Sequence, residues 1–378
     1  MASDGPPDNG IRLLRERVRS IPILLEEWSA SPEGARAVKP RLRPHRVVAT
    51  GLGSSEAHAR YLVWFLNRFT DVPAEFLPTG SLVEPLDPPR SKGRTLVVFS
   101  QRLSSAGRLA LGRRSDFAST VLFTSATLEG LRRAGETGRL ELLEQIERDE
   151  RVEVIRFPPE DEDTILIRVV GPALGFLAAR LWAGGLANPG ELCGNPRSLG
   201  MAAARAFRAG RDTGRLAWPR MDSPAFSRGF LLLASPDLSE YLHNVVYKFM
   251  EGLFRPAPIL QELIQFGHGP FQQLTASPMP VVVVHRHGET ESDLLERIQK
   301  MCRSACLDCV PAGSGLVSPV DLLVFEAEGL FIDALLDSIG RGVVDQVTWP
   351  GLGLDGPIQD YQGPTRSGSL SCGNRAPE

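Results

Sequence analysis

Lysine is the scarcest charged residue in this chain: Lys39, Lys92, Lys248 and Lys300 are the only ones among 42 lysines and arginines. The arginine excess creates no basic footprint, because 45 acidic residues bring the formal net charge to -3. That balance argues against a nucleic-acid partner and against a polybasic membrane patch. No apolar run approaches the roughly 20 residues needed to span a bilayer. The opening MASDGPPDNG lacks the charged and apolar regions of a signal peptide. Cysteine is also rare; five unevenly placed residues do not make a disulfide framework. These absences together point to a cytoplasmic protein.

What is present is length and alternation. At 378 residues the chain can bury two sizeable cores. Ile11 to Trp28 has helical spacing, with Leu14, Val18, Ile21 and Leu25 on one face and Pro22 within it. From Arg46 onward short apolar strands alternate with helices. Strands are expected at 46–50, 74–78, 95–99, 121–124 and 152–156, and helices at 56–69, about 109–113 and 169–182. Such alternation predicts parallel sheets covered on both faces. Residues 187–224, rich in Gly, Pro and Arg, read as a solvated helical connection. A second series follows, with strands expected at 229–234, 281–284 and 322–325 and helices at 294–306 and 330–339.

Two strands of the first half end in small polar loops. Gly51-Leu52-Gly53-Ser54-Ser55 follows the first, and Ser100-Gln101-Arg102-Leu103-Ser104-Ser105 follows the third. Gly53 permits close backbone approach, the hydroxyls of Ser54, Ser55, Ser100, Ser104 and Ser105 offer donors, and each loop opens a helix with unpaired N–H groups. Loops of this kind at the strand C-termini of an open α/β sheet bind phosphorylated ligands.

The second half supplies titratable groups. Ser235 is placed to cap a helix with Pro236 at its first position. Leu238, Leu242, Val245, Phe249 and Leu253 form its apolar stripe. Lys248 and Glu251 lie off that stripe on a shared face, and His268-Gly269-Pro270 places an imidazole on a turn. Read from spacing alone, these are either a proton-transfer set or an exposed ion pair plus a loop histidine.

These motifs together resemble the sugar isomerase (SIS) domain family in its double-domain form, as in the isomerase part of glucosamine-6-phosphate synthase. There a K-x-x-E helix precedes an H-G-P loop. Lys248, Glu251 and His268 match if one residue is inserted here. The family's loops read G-S-S and S-Q-S-G-x-T; Ser54-Ser55, Ser100 and Gln101 match, and Ser105 keeps the hydroxyl of the threonine. Arg102 and Leu103 depart, standing for a serine and a glycine. Arg102 is suited to grip a phosphate bidentately, or equally to receive a carboxylate or a bulkier anion.

The resemblance covers roughly residues 45 to 350. It implies an α/β fold of two doubly wound, flavodoxin-like SIS domains in tandem. The expected divisions are a tail and helix over 1–40, a first domain over 41–186, a linker over 187–224, a second domain over 225–355 and a tail over 356–378. It further implies a phosphorylated sugar or amino sugar as ligand, a homodimer in which the histidine reaches the neighbouring site, and no metal or organic cofactor. The implied chemistry is aldose–ketose isomerisation, or deamination or deglycation of an amino-sugar phosphate, through an enediol. Glu251 would be the base, His268 would assist ring opening and Lys248 would steady oxygen charge. The synthase's glutaminase domain is absent, Gln265 replaces a glutamate and the tail Asp355 to Tyr361 carries no lysine. The alternative implied by the same family is a non-catalytic sugar-phosphate sensor or accessory protein.

Two local patterns point elsewhere and fail on context. Arg286-His287-Gly288-Glu289-Thr290 resembles the R-H-G-E-T of histidine phosphatases, which need a second, later histidine; none follows His287. It reads instead as a polar loop. Cys302, Cys306 and Cys309 have the spacing of a radical S-adenosylmethionine cluster, but at i, i+4 and i+7 they are expected on one apolar helix face. Cys193 and Cys372 have no partners suited to a zinc site.

Overall fold

A computed structural model of the chain describes residues 8–84, 91–159, 167–187, 194–217, 226–253 and 256–340. Two parallel sheets organise it. The first contains β1 (Val47–Thr50), β2 (Ala74–Phe76), β3 (Thr95–Phe99), β4 (Ser119–Thr124) and β5 (Val152–Arg156) in the order β2-β1-β3-β4-β5. The second contains β6 (Leu231–Ala234), β7 (Ile259–Glu262), β8 (Val281–Val284) and β9 (Cys309–Pro311) in the order β7-β6-β8-β9. Every pairing is parallel. Each chain path runs outward from its first strand and then crosses to the other side, so the two halves share one doubly wound plan. Their crossover points lie between β1 and β3, and between β6 and β8. This is the expected tandem α/β architecture.

The strands sort their side chains by period two. Val47, Ala49, Val97, Phe99, Val121 and Phe123 join Leu232, Ala234, Val282 and Val284 in one large core shared by both halves. The intervening residues form separate outer cores, one around Val48, Leu96, Val98 and Leu122, the other around Leu231, Leu233, Val281 and Val283. Helices between the sheets complete the shared core. In chain order the helices are α1 (Asp8–Ala30), α2 (Pro32–Ala37), α3 (Ser54–Phe69), α4 (Ser105–Gly112), α5 (Leu128–Arg133), α6 (Thr137–Arg148), α7 (Val170–Leu186), α8 (Pro196–Ala217), α9 (Pro236–Ser239), α10 (His243–Leu253), α11 (Pro270–Ala276), α12 (Glu289–Ser304) and α13 (Leu323–Gly340).

On α1 the expected stripe is buried: Leu14, Val18, Ile21 and Leu25 are at most 1 % exposed. The helix continues through Pro22 and packs on α7, α8 and α13. Nearly all of α7 is buried, and its Arg180 bridges to Asp321 at 2.8 Å while lying 4.6 Å over the Phe65 ring. No described helix is long and apolar enough to cross a membrane.

Four expectations need correction. The connection after residue 186 is not merely solvated: Gly200, Ala203, Ala204, Phe207 and Gly210 of α8 are buried between α1 and α13. Arg211 ties the same helix to Asp333 through two hydrogen bonds. Small side chains let these helices approach closely, a packing signal that composition disguised as a linker. Leu322 to Phe325 is not a strand but the entry to α13; a short, fully apolar run fits either element. The helix after Ser235 is broken into α9 and α10, and the Ser235 hydroxyl donates to Glu291 rather than capping. The three cysteines do not share a helix face. Cys306 stands at φ +54 and ends α12, with the Leu307 N–H reaching the Cys302 carbonyl at 2.9 Å and the Cys306 N–H reaching that of Arg303 at 3.2 Å. Cys302 is buried, Cys306 exposed, and Cys309 opens β9. Among the described residues no cluster suited to a metal ion occurs. Cys193, Cys372 and the tail from 341 lie outside the described residues.

Candidate functional site

The crossover between β1 and β3 places the two small polar loops side by side. Gly53, at φ +61, precedes the first turn of α3, a conformation a side chain would strain. No side chain caps α3, and its first turn closes on the loop backbone: the Ser55 N–H reaches the Leu52 carbonyl at 3.2 Å and the Glu56 N–H reaches that of Gly53 at 3.0 Å. Ser54 and Ser55 lie half-buried in that turn. In the second loop Ser100 is buried and its hydroxyl accepts from the Ser104 N–H at 3.2 Å. The Ser104 hydroxyl accepts from the Gly107 N–H at 3.3 Å and so caps α4. The Ser105 hydroxyl accepts from Arg108 at 3.2 Å.

Leu103 occupies the position where the family's motif has glycine, and it adopts φ +52 while wholly buried. The loop therefore keeps a glycine-like backbone at a cost of about 1–2 kcal/mol for a non-glycine residue. Such strain is found where the surrounding structure holds a functional loop in place. Here the Gln101 carbonyl does the holding, accepting from the Ser125 N–H at 2.9 Å and the Thr124 hydroxyl at 3.1 Å. Arg102 is half-buried beside it.

The Gln101 side chain turns toward the entry of α7. A Cβ on Gly171 would lie 2.2 Å from its Nε2, so any side chain there would push the Gln101 amide aside. That Nε2 is buried without a hydrogen-bond partner, and so is the Ser125 hydroxyl at the end of β4. Two polar groups without protein partners thus lie at one strand-end crevice, where they are suited to a polar ligand.

Helix α10 brings the second half to this crevice. Tyr247 donates to Glu56, the residue after Ser55, at 3.0 Å. Burial, then the Glu56 charge, pushes the Tyr247 phenol up to about 12. Glu251, one turn further on, is half-buried. Burial raises its pKa, and Arg168, three residues before Gly171, partly opposes this. A carboxylate whose pKa burial raises is a kind of group that general acid–base chemistry uses.

Lys248 has a different environment. It is 4 % exposed and paired with Glu328 of α13. Glu328 also accepts from the Asn244 amide at 2.6 Å. The ion pair of Lys248 is thus not with Glu251, and its ammonium is buried between α10 and α13. His268 sits on an exposed turn of the second domain, its backbone N–H on the Gln265 carbonyl at 2.9 Å. The first-domain loops carry Gly53, Ser54, Ser55, Ser100, Gln101, Arg102, Ser104 and Ser105; α10, tied to Glu56 through Tyr247, carries Lys248 and Glu251; and His268 lies on an exposed turn.

Sequence reasoning missed Tyr247, Arg168, Ser125 and His58. Thr124-Ser125 at a strand end repeats the small polar signal of the other loops and was open to the same reading. His58 had no such signal. It lies one turn beyond Ser54 and Ser55, with Nε2 on the Pro172 carbonyl at 2.8 Å and its ring 4.6 Å from Phe176. This bond ties α3 to the segment carrying Gly171. Burial drives the His58 pKa down to about 4; the Pro172 bond opposes this and nearby Lys248 adds to it.

His58 gives a pH prediction. The folded state binds fewer protons than the unfolded state between pH 4 and pH 6.5, so stability is full above 6.5 and falls as pH drops through that window. Urea unfolding at pH 7 and pH 4.5 should show the wild type losing about 2–3 kcal/mol more than His58→Phe. Equal losses would mean that His58 is protonated in the folded protein.

A separate cavity of about 360 Å³ lies along the later turns of α3, lined by Arg60, Trp64, Arg68 and Phe76 with Glu240 of the second half. None of the crevice residues lines it. Beside it Asp237 accepts from Arg68 at 2.7 Å and from Arg286 at 2.8 Å, an ionic seam between the two halves.

No family model matches the sequence, and no curated protein matches it. Solved structures do match the fold. Glucosamine-6-phosphate deaminase from Thermotoga maritima superposes with a TM-score of 0.63 at 14 % identity, over 88 % of this chain and 96 % of that one. The C-terminal domain of glucosamine-fructose-6-phosphate aminotransferase from Francisella tularensis gives 0.66 at 10 % identity, over 92 % and 99 %. Tagatose-6-phosphate ketose/aldose isomerase from Escherichia coli gives 0.65 at 16 % identity, over 89 % and 96 %. The chain therefore has the tandem SIS fold of phosphosugar isomerases along nearly its whole described length.

Proposed function

We propose that the chain binds a phosphorylated sugar or amino sugar in the β1/β3 crevice and acts on it as an aldose–ketose isomerase or an amino-sugar-phosphate deaminase or deglycase. One observation carries this reading: α10, which bears Glu251 with its raised pKa, packs on α3 and is tied by Tyr247 to Glu56, next to the Ser54-Ser55 loop of the first-sheet crevice. The α3 and α4 loops are suited to the phosphate. Glu251, ionised, takes a proton from the carbon next to the carbonyl and returns it to the adjacent carbon, moving the carbonyl through an enediol. Neighbours of the same fold are a deaminase, an aminotransferase domain and a ketose/aldose isomerase, which fits substrates of this class.

In this reading His268 serves the site of a second copy, since its exposed turn is free to reach one, and the active unit is a cytoplasmic homodimer. Lys248 supports α10 through Glu328 and acts on the sugar only through the placement of Glu251.

A sensor is the second reading, and the burial of Lys248 against Glu328 favours it, because that lysine has no free access to a ligand. Both readings require the phosphate site. A sugar phosphate at 100 times its dissociation constant should stabilise the fold by about 2.7 kcal/mol, and the unphosphorylated sugar should not. Ser100→Ala combined with Ser105→Ala should lose most of that shift in thermal unfolding. An unchanged shift in the double variant would place the phosphate elsewhere.

A further inference from the structure

The second sheet has its own crossover crevice, and it is not empty. The ends of β6 and β8 occupy the positions that β1 and β3 hold in the first sheet. Ser235 follows β6 as the Gly51–Ser55 loop follows β1, and His285 to Gly288 follow β8 as the serine loop follows β3. Helix α12 then follows β8 as α4 follows β3; it is sixteen residues long and, unlike α4 with its Ser104 cap, has no side-chain cap. By the general rule for open α/β sheets this is where a ligand sits.

An anion is already held there. The carboxylate of Glu291, in the first turn of α12, accepts from the Ser235 hydroxyl and from the backbone N–H of Arg286 at 2.5 Å. A hydroxyl, a backbone N–H and a helix N-terminus are the donors that hold phosphate in such crevices. The Arg286 guanidinium is turned away onto Asp237 at 2.8 Å, and His287 contacts the Ser314 carbonyl at 3.2 Å. Beneath lies His285, 2 % exposed, with Nδ1 unpartnered and its Nε2 3.0 Å from where a Cβ on Gly315 would be. Burial pushes the His285 pKa down, and the Glu291 charge opposes this.

We infer that Glu291 is a built-in substitute for a ligand's phosphate: it fills a second anion site, for inorganic phosphate or a phosphomonoester, that the fold duplication created. The chain thus keeps one open crevice, in the first domain. The inference rests on the proposed phosphate role of the first crevice only by analogy of position, and its test is independent of that role. It also gives the R-H-G-E-T stretch a structural purpose, since its loop walls the plugged site.

The test is the number of phosphates bound per chain, by equilibrium dialysis of inorganic phosphate at constant ionic strength. Glu291→Ala should bind one phosphate more than wild type. Adding Ser235→Ala should weaken that extra site about tenfold, the loss expected for one hydrogen bond to a charged group. Glu291→Ser provides a smaller perturbation with the same expected gain if the alanine variant does not fold. Because the readout is the difference between variant and wild type, a failure of the first-domain site appears as zero phosphate in wild type and leaves the difference intact. Equal binding by wild type and a folded Glu291 variant overturns the inference.

Discussion

Glu251→Gln is expected to abolish exchange of the substrate's C1 or C2 hydrogen with deuterated water while leaving sugar-phosphate binding nearly intact. The amide keeps the shape of the carboxylate but cannot accept a proton, and general-base catalysis is worth about 100- to 10,000-fold. The raised pKa of Glu251 sets the pH dependence. A base must be ionised, so the rate falls as pH drops through a value above the ordinary carboxylate range. The acid limb of the profile should therefore lie higher than that of an exposed glutamate. Arg168→Met removes the cation that holds Glu251 down and should move the limb further up. If wild type binds a sugar phosphate yet shows no exchange, the sensor reading stands and Glu251 is a structural carboxylate.

The second large effect is on stability. Glu328→Gln should cost about 3–5 kcal/mol in denaturant unfolding, because it leaves the Lys248 ammonium buried without its counter-charge. Lys248→Met alone should cost a comparable amount by stranding the carboxylate. The double variant Lys248→Met/Glu328→Gln should recover most of the loss, since the glutamine still accepts from Asn244 and no charge remains buried. Two single losses that simply add would show that the residues do not act as a pair. The same double variant bears on function. If Lys248 contacts the sugar, restored stability will not restore binding or exchange; if it only supports α10, both will return.

Local sequence determined the parts of this protein that depend on local physics. Apolar runs such as Thr95–Phe99 and Val281–Val284 specify buried parallel strands, and the stripe of α1 specifies its buried face. The small polar loops at Gly53–Ser55 and Ser100–Ser105 specify tight strand-to-helix turns, because glycine and serine have few other uses at a strand end. Where the local signal was degenerate it misled: Leu322 to Phe325 suits a strand or a helix, and the Gly- and Ala-rich face of α8 suits a linker or a tight helix contact.

Tertiary structure alone decided the electrostatics. Lys248 meets Glu328 across 80 residues, Tyr247 meets Glu56 across 191, and the Arg168 charge acts on Glu251 from a distant part of the sequence. No periodicity encodes such pairs. A charge's partner is set by which helices the shared core presses together, and its pKa by how much water that packing removes. The same holds for Glu291: a glutamate in a helix's first turn is ordinary in sequence, and only the convergence of Ser235 and Arg286 at one strand-end crevice turns it into an occupant of a binding site.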